Sequence, residues 1–231
     1  MSLFEWVYNN WERAEGASVS WLSRGEISKV RSFHRKFAGY SPTPLVKLDK
    51  LEQKSGFGGL WVKDESKRFG LNAFKALGAT YAIGKVLARK LSADIDDLSF
   101  ELLKSKEVKG RLGDMTFATT TDGTHGRGAA WAARELGQKA VIYMPKGSSK
   151  RRLDAILETG AEAYITDLNY DDAVRMTWSK ARENGWELIQ DTAWEGYEEV
   201  PKWIMQGYAT MGSEAQEQLA LQGVERPTHI L

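Results

Sequence analysis

From Gly113 onward, short β-branched or aromatic runs alternate with longer helical stretches. The apolar runs are Met115–Thr120, Ala140–Met144, Ala163–Thr166 and Glu187–Gln190. Between them lie helix-length segments near Gly126–Leu136, Lys150–Thr159 and Asp171–Asn184, closed by Gly137, Gly160 and Gly185. Glycine most readily takes the left-handed conformation that follows a helix. Asn169, with Asp172 three residues on, reads as a helix N-cap. Strand and helix alternating in units of about 25 residues predict βαβ crossovers and a parallel sheet.

The preceding residues are less regular. Ser41-Pro-Thr-Pro44 is extended, because each proline pushes the residue before it out of the helical region. Leu60–Lys63 reads as a strand after the Gly56–Gly59 turn, and Ala73–Arg89 as a helix capped by Asn72. The charged stretch Leu91–Lys109 reads as partly helical, a link between two lobes, and Glu198–Leu221 as a helix ended by Gly223 and Pro227. Thr228–Leu231 has the look of another buried strand beginning where the sequence stops. The expectation is a larger protein cut short, the alternatives being a short final strand or a loose tail.

Composition narrows the function classes. The 231 residues are 42% hydrophobic and 27% charged, enough for a sizeable core in one or two domains. A net charge of +1 speaks against a nucleic-acid-binding stripe, and the absence of cysteine removes disulfides, thiolate metal sites and a cysteine nucleophile. No run approaches the roughly 18 apolar residues of a membrane span. Met1–Gly16 lacks the apolar core of a signal peptide. The expectation is a soluble, cytoplasmic protein.

Several chemistries are missing. His34, His125 and His229 have no metal-ligand spacing, and there is no G-x-S-x-G elbow. Gly78–Lys85 imitates a P-loop but has one residue too many between its glycines and lies within a helix. The segment Lys63–Lys75 is more informative: a strand enters a loop, and Lys75 sits in the first turn of the next helix. The positive end of a helix disfavours an ammonium, and a neutral amine is what Schiff-base chemistry needs. A plain surface lysine is the alternative reading. The second segment, Thr119–Gly128, leaves a strand and opens a helix; its hydroxyls and amides would make a carboxylate cradle. Asp122 is out of place in an anion site, which suits a general acid or base, although a simple capping role satisfies the same residues.

Taken together, Ala38–Leu45, Val62–Lys75, Phe117–Gly128, Val141–Gly147 and Gln190–Tyr197 resemble the fold-type II pyridoxal-phosphate enzymes and, within them, the diaminopropionate ammonia-lyases. The Asn-Ala-Phe-Lys and Asp-Gly-x-His-Gly-Arg-Gly patterns carry the resemblance. It implies pyridoxal 5'-phosphate held by Lys75 as a Schiff base, with Phe74 against its pyridine ring. It implies a substrate-carboxylate loop of Thr119, Thr120, Thr121, Asp122 and Gly123, and catalytic roles for Lys75, Asp122 and Asp191. Thr124 stands where the family usually has an asparagine contacting the cofactor, so that contact is expected to be lost or water-mediated.

The implied fold is α/β of the fold-type II kind, with parallel sheets and flanking helices. A small domain, 113–187, would be inserted in a large domain, 1–112 and 188–231, incomplete at its C-terminus. The implied activity is α,β-elimination of a small amino acid, 2,3-diaminopropionate, by a homodimer that binds neither nucleic acid nor membrane. The resemblance covers the N-terminal part of a family member and stops short of the glycine-rich phosphate loop. The chain alone is therefore expected to bind the cofactor weakly and to expose an apolar edge at Ile230 and Leu231. A serine or threonine dehydratase is one rival, although those enzymes generally carry a small or hydroxyl residue at the position of Asp122; an inactive or split chain is another.

Overall fold

The computed structural model describes residues 18–230; the Met1–Gly16 segment read above, and Leu231, lie outside the described residues. Helix α1 (Arg24–Arg35) starts where the Ser23 hydroxyl accepts the Glu26 amide and buries Val30 and Phe33. The Pro44 segment leads into β1 (Leu45–Lys47), which pairs antiparallel with β2 (Trp61–Lys63) around α2 (Asp49–Ser55). The chain reverses after α2 at Gly56, left-handed with φ 71°.

Helix α3 (Lys75–Leu91) runs through the core, with Leu77, Ala79, Ala82, Ile83 and Leu87 fully buried. Asn72 does not cap it: Asn72 is left-handed (φ 55°), and Phe74 takes the cap position with no side-chain bond. Asparagine tolerates that conformation better than most residues, so here it makes the turn ahead of the helix. The Leu91–Lys109 segment is not a mere link either. A short 3₁₀ turn, α4 (Phe100–Lys104) and α5 (Lys106–Leu112) place Ile95, Leu98, Phe100, Leu103 and Val108 in the same hydrophobic cluster as α3. The charges that make this stretch look like a linker occupy its outer side.

A four-stranded, wholly parallel sheet follows, in the order β5-β4-β3-β6. Its strands are β3 (Thr116–Thr120), β4 (Lys139–Met144), β5 (Glu162–Ile165) and β6 (Glu187–Leu188). The crossovers are α6 (Thr124–Glu135), α7 (Lys150–Leu157) and α8 (Tyr170–Asn184). Gly137, Gly160 and Gly185 are left-handed, and the Asn169 side chain caps α8 through the Asp172 amide.

Helix α9 (Glu199–Leu221) returns the chain across α3 and α1. The α3–α9 crossing is tight: a Cβ at Gly207 would lie 2.4 Å from the Leu77 carbonyl oxygen. Because backbone must move to admit it, Gly207→Ala is expected to lower unfolding stability by about 1–3 kcal/mol, read as a lower urea midpoint with unchanged slope. His34 ties the three helices together, with Nδ1 2.8 Å from the Thr210 hydroxyl and Nε2 3.0 Å from the Leu77 carbonyl. Burial holds this ring down at about 3, so it is a neutral core histidine. Among the described residues, 224–230 form no strand, and Ile230 is 87% exposed. The expected start of a buried strand is absent there because no neighbouring strand supplies ladder hydrogen bonds.

Candidate active site

Strands β3 and β6 lie side by side, yet the chain leaves them in different directions. After β3 it steps to β4 and β5; β6 is reached only by crossing back to the other side of β3. In an open parallel sheet this reversal leaves a crevice at the carboxyl ends of the two strands. The loop Thr121–Gly123 and the segment Ile189–Asp191 follow those two strand ends.

Gln190 joins the two strand ends. Its Oε1 accepts from the Thr120 amide (2.9 Å) and the Thr119 hydroxyl (3.0 Å), and its Nε2 donates to the Tyr170 hydroxyl (3.0 Å). The Tyr197 hydroxyl accepts from the Gln190 amide (2.9 Å) and lies 2.9 Å from the Leu188 carbonyl. Asp191 therefore leaves a backbone fixed on both sides. On the β3 side, the Thr120 hydroxyl meets the Thr177 hydroxyl at 2.7 Å, and the Thr121 hydroxyl accepts from the amides of Gly123 and Gly126. These threonine side chains hold the turn and the helix start.

Lys75 arrives from the other direction, as the first residue of α3. A Cβ on Gly128 would lie 3.0 Å from the Lys75 carbonyl carbon, so α6 packs directly on the start of α3. Arg127 donates to the Leu71 carbonyl at 3.0 Å and pins the loop just before it. Further back, the fully buried Arg68 guanidinium binds Glu65 and Glu214, and Glu214 also meets Lys63 at 2.8 Å and the Tyr40 hydroxyl at 2.7 Å. This network fixes the Lys63–Lys75 loop to α9.

Lys75 Nζ donates to Asp191 Oδ2 at 2.9 Å. Nζ lies 5.8 Å from the Phe74 ring centre and 5.4 Å from that of Tyr208, and the two rings meet edge to face at 5.0 Å. His125, the second residue of α6, puts Nδ1 3.6 Å from the same Asp191 oxygen. Burial pushes the Asp191 carboxyl up, but His125 and Lys75 outweigh it and hold it below the usual carboxylate range. Burial, for its part, pushes the His125 ring down and the Tyr208 hydroxyl up.

The residues singled out from sequence separate into two groups. Lys75, Phe74 and Asp191 meet. Asp122 stands outside that contact, 74% exposed, with its carboxylate 3.6 Å from Arg152, which also donates to the Asp122 carbonyl at 3.0 Å. Thr119, Thr120, Thr121 and Gly123 are buried, and Thr124 is an exposed first residue of α6. Sequence reasoning passed over His125, Tyr208, Gln190 and Arg152. The pattern Asp-Gly-x-His kept His125 in view, but nothing local marks Tyr208 or Arg152, which arrive from distant helices.

Residues 36–231 match the pyridoxal-phosphate dependent enzyme family. The chain belongs to that family. Among curated relatives, the diaminopropionate ammonia-lyase of Escherichia coli is 57% identical over 217 residues, 94% of this chain and 53% of the relative. A crystal structure of the E. coli enzyme in complex with an aminoacrylate-PLP azomethine reaction intermediate matches with TM-score 0.84 at 56% identity, over 93% of this chain and 53% of that one. The biosynthetic threonine dehydratase of Haemophilus influenzae is 25% identical over 160 residues, 69% of this chain and 26% of the relative. The chain thus spans about half the length of the ammonia-lyases it matches.

The residues at Lys75 suit the family's cofactor. An amine at a helix start is flanked by two aromatic rings, and beside it two buried polar atoms, His125 Nδ1 and the Tyr208 hydroxyl, have no hydrogen-bond partner among the described residues. Such orphans are expected where another group completes the site.

Proposed function

We propose that the protein carries out pyridoxal-phosphate-dependent α,β-elimination of 2,3-diaminopropionate to pyruvate and ammonia. The observation that carries this reading is the Lys75–Asp191 contact at the mouth of the β3–β6 crevice, and the ammonia-lyase relatives support it. In this reading Lys75 holds the cofactor and then removes the α-proton of the substrate. The cofactor, when bound, supplies the electron sink for the charge left on Cα. Phe74 and Tyr208 orient the ring, and Asp191 keeps the Lys75 nitrogen in place between steps. Thr119–Gly123 form the loop that receives the substrate carboxylate, its turn held by the Thr121 hydroxyl, which accepts from the Gly123 and Gly126 amides. Thr124, exposed at the first position of α6, leaves the contact that the family's asparagine makes to the cofactor lost or water-mediated. The reading includes a small domain over 113–187 set in a larger one, and a homodimer acting in the cytoplasm in amino-acid catabolism. No helix among the described residues is long and apolar enough to cross a membrane.

Asp122 is assigned a second acid–base role, on the face opposite Lys75, because a base on one face reaches the α-proton of only one enantiomer. Arg152 lies 3.6 Å from this carboxylate and donates to the Asp122 carbonyl, which ties the loop to α7. Pyruvate release from the two enantiomers of diaminopropionate tests both claims. In a chain of full family length both isomers should react, and Asp122→Asn should lower kcat/KM for the D-isomer by about 10²-fold or more, with little change for the L-isomer. Equal losses would reduce Asp122 to a binding or capping residue. Keto-acid release from serine or threonine, with none from diaminopropionate, would favour the dehydratase reading instead.

A further inference from the structure

The His125 ring is only 4% exposed. Its Nε2 lies 2.8 Å from the Ile189 carbonyl, so Nε2 carries a hydrogen and donates it. Nδ1 has no hydrogen-bond partner among the described residues and faces Asp191 Oδ2 at 3.6 Å, the oxygen that also accepts from Lys75. In the neutral ring that nitrogen directs a lone pair at a carboxylate oxygen. The arrangement is tolerable while the Lys75 ammonium offsets the negative charge, and unfavourable once it does not. Groups this close titrate as a set.

We propose that Lys75, Asp191 and His125 form a charge-conserving unit. While the Lys75 nitrogen is an ammonium, His125 is neutral. When that nitrogen loses its charge, His125 Nδ1 takes one proton from solvent and becomes the cation facing Asp191. The charges run from plus, minus, zero to zero, minus, plus, so the set stays neutral in both states. Asp191 remains ionised and paired throughout, and His125 is thereby a positioning residue for it. The idea deepens the function proposed above, in which the Lys75 nitrogen must be a neutral amine to add to an aldehyde and to take up the α-proton of the substrate.

The surroundings agree with this. From α3 only Lys75 faces the pair, and its charge pushes the His125 ring down; the Asp191 carboxylate pushes it up. From α9 comes Tyr208 and from the turn after β6 comes Tyr197, both raised by burial and so neutral near pH 7. With the Lys75 charge gone, burial alone opposes protonation of His125.

Histidine-ring nitrogen NMR across pH tests the coupling, with the His125 signal assigned by its loss in His125→Gln. In the parent protein His125 should stay the Nε2–H tautomer through neutral pH. Lys75→Met should raise the proton affinity of Nδ1 by about tenfold or more, and Lys75→Gln should do the same with a polar side chain if the methionine variant folds poorly. Adding Asp191→Asn to either should abolish the rise. An unchanged His125 titration on loss of Lys75, or a rise that survives Asp191→Asn, would overturn the proposal. The readout uses neither cofactor nor substrate, so it stands or falls separately from the pyruvate assay.

Discussion

In a chain of full family length, Lys75→Ala is expected to lower diaminopropionate turnover by at least about 10⁴-fold, since it removes both the covalent attachment and the base. The fold should survive. The Lys75 side chain is 28% exposed, and its ion pair with Asp191 lies at the mouth of the crevice, where such pairs contribute about 1 kcal/mol or less. His125 is placed to take over as the partner of Asp191. Urea unfolding of the variant should therefore match the parent within about 1 kcal/mol, so that the lost activity cannot be traced to a lost fold. A large drop in stability would mean that Lys75 is a structural lysine.

Arg68→Met should behave in the opposite way, damaging the fold first. Arg68 and Glu214 are both fully buried and paired at 2.7 Å, and Glu65 and Lys63 close the network. Removing the guanidinium leaves two carboxylates facing each other out of water, with Lys63 the remaining cation. Breaking such a pair from one side costs about 3–5 kcal/mol, measured as a lower urea midpoint. Burial alone would push the Glu214 carboxyl up, but hydrogen bonds from Arg68, Lys63 and Tyr40 outweigh it and hold it at about 2. A depressed carboxylate stabilises the fold above its unfolded value, and the stabilisation disappears as pH falls through the folded one. The parent protein should accordingly lose on the order of 3 kcal/mol between about pH 5 and pH 2. Arg68→Met should lose much less over the same range. The loop ahead of Lys75 hangs from this network, so the variant should also lose activity in whatever fraction stays folded.

The parallel sheet was legible because its signals are local. Glycines at 137, 160 and 185 and the Asn169 cap mark helix ends without reference to anything distant. Helix α1 escaped notice because its helical sequence is mostly polar, and only Val30, Phe33 and two polar residues, Arg31 and His34, are buried. What buries Arg31 and His34 is α9, nearly two hundred residues on. Asn72 misled for a related reason: the same side chain suits a cap and a left-handed turn, and the packing of α6 on the start of α3 decides between them. In the candidate site, the helix-start position marked Lys75 as a candidate, and the Asn-Ala-Phe-Lys pattern of the family resemblance chose it over a plain surface lysine. The contact with Asp191 spans 116 residues and comes from the sheet order, which no local pattern encodes. His125 stood in the Asp-Gly-x-His pattern, but its contact with Asp191 was not legible, because the two residues are brought together by the sheet order.

The account turns on one amine. Borohydride reduction of the protein in saturating pyridoxal 5'-phosphate, followed by peptide mapping, should place the stable pyridoxyl label on Lys75. Label confined to Lys63, Lys67 or Lys85, with Lys75 unmodified, would contradict it.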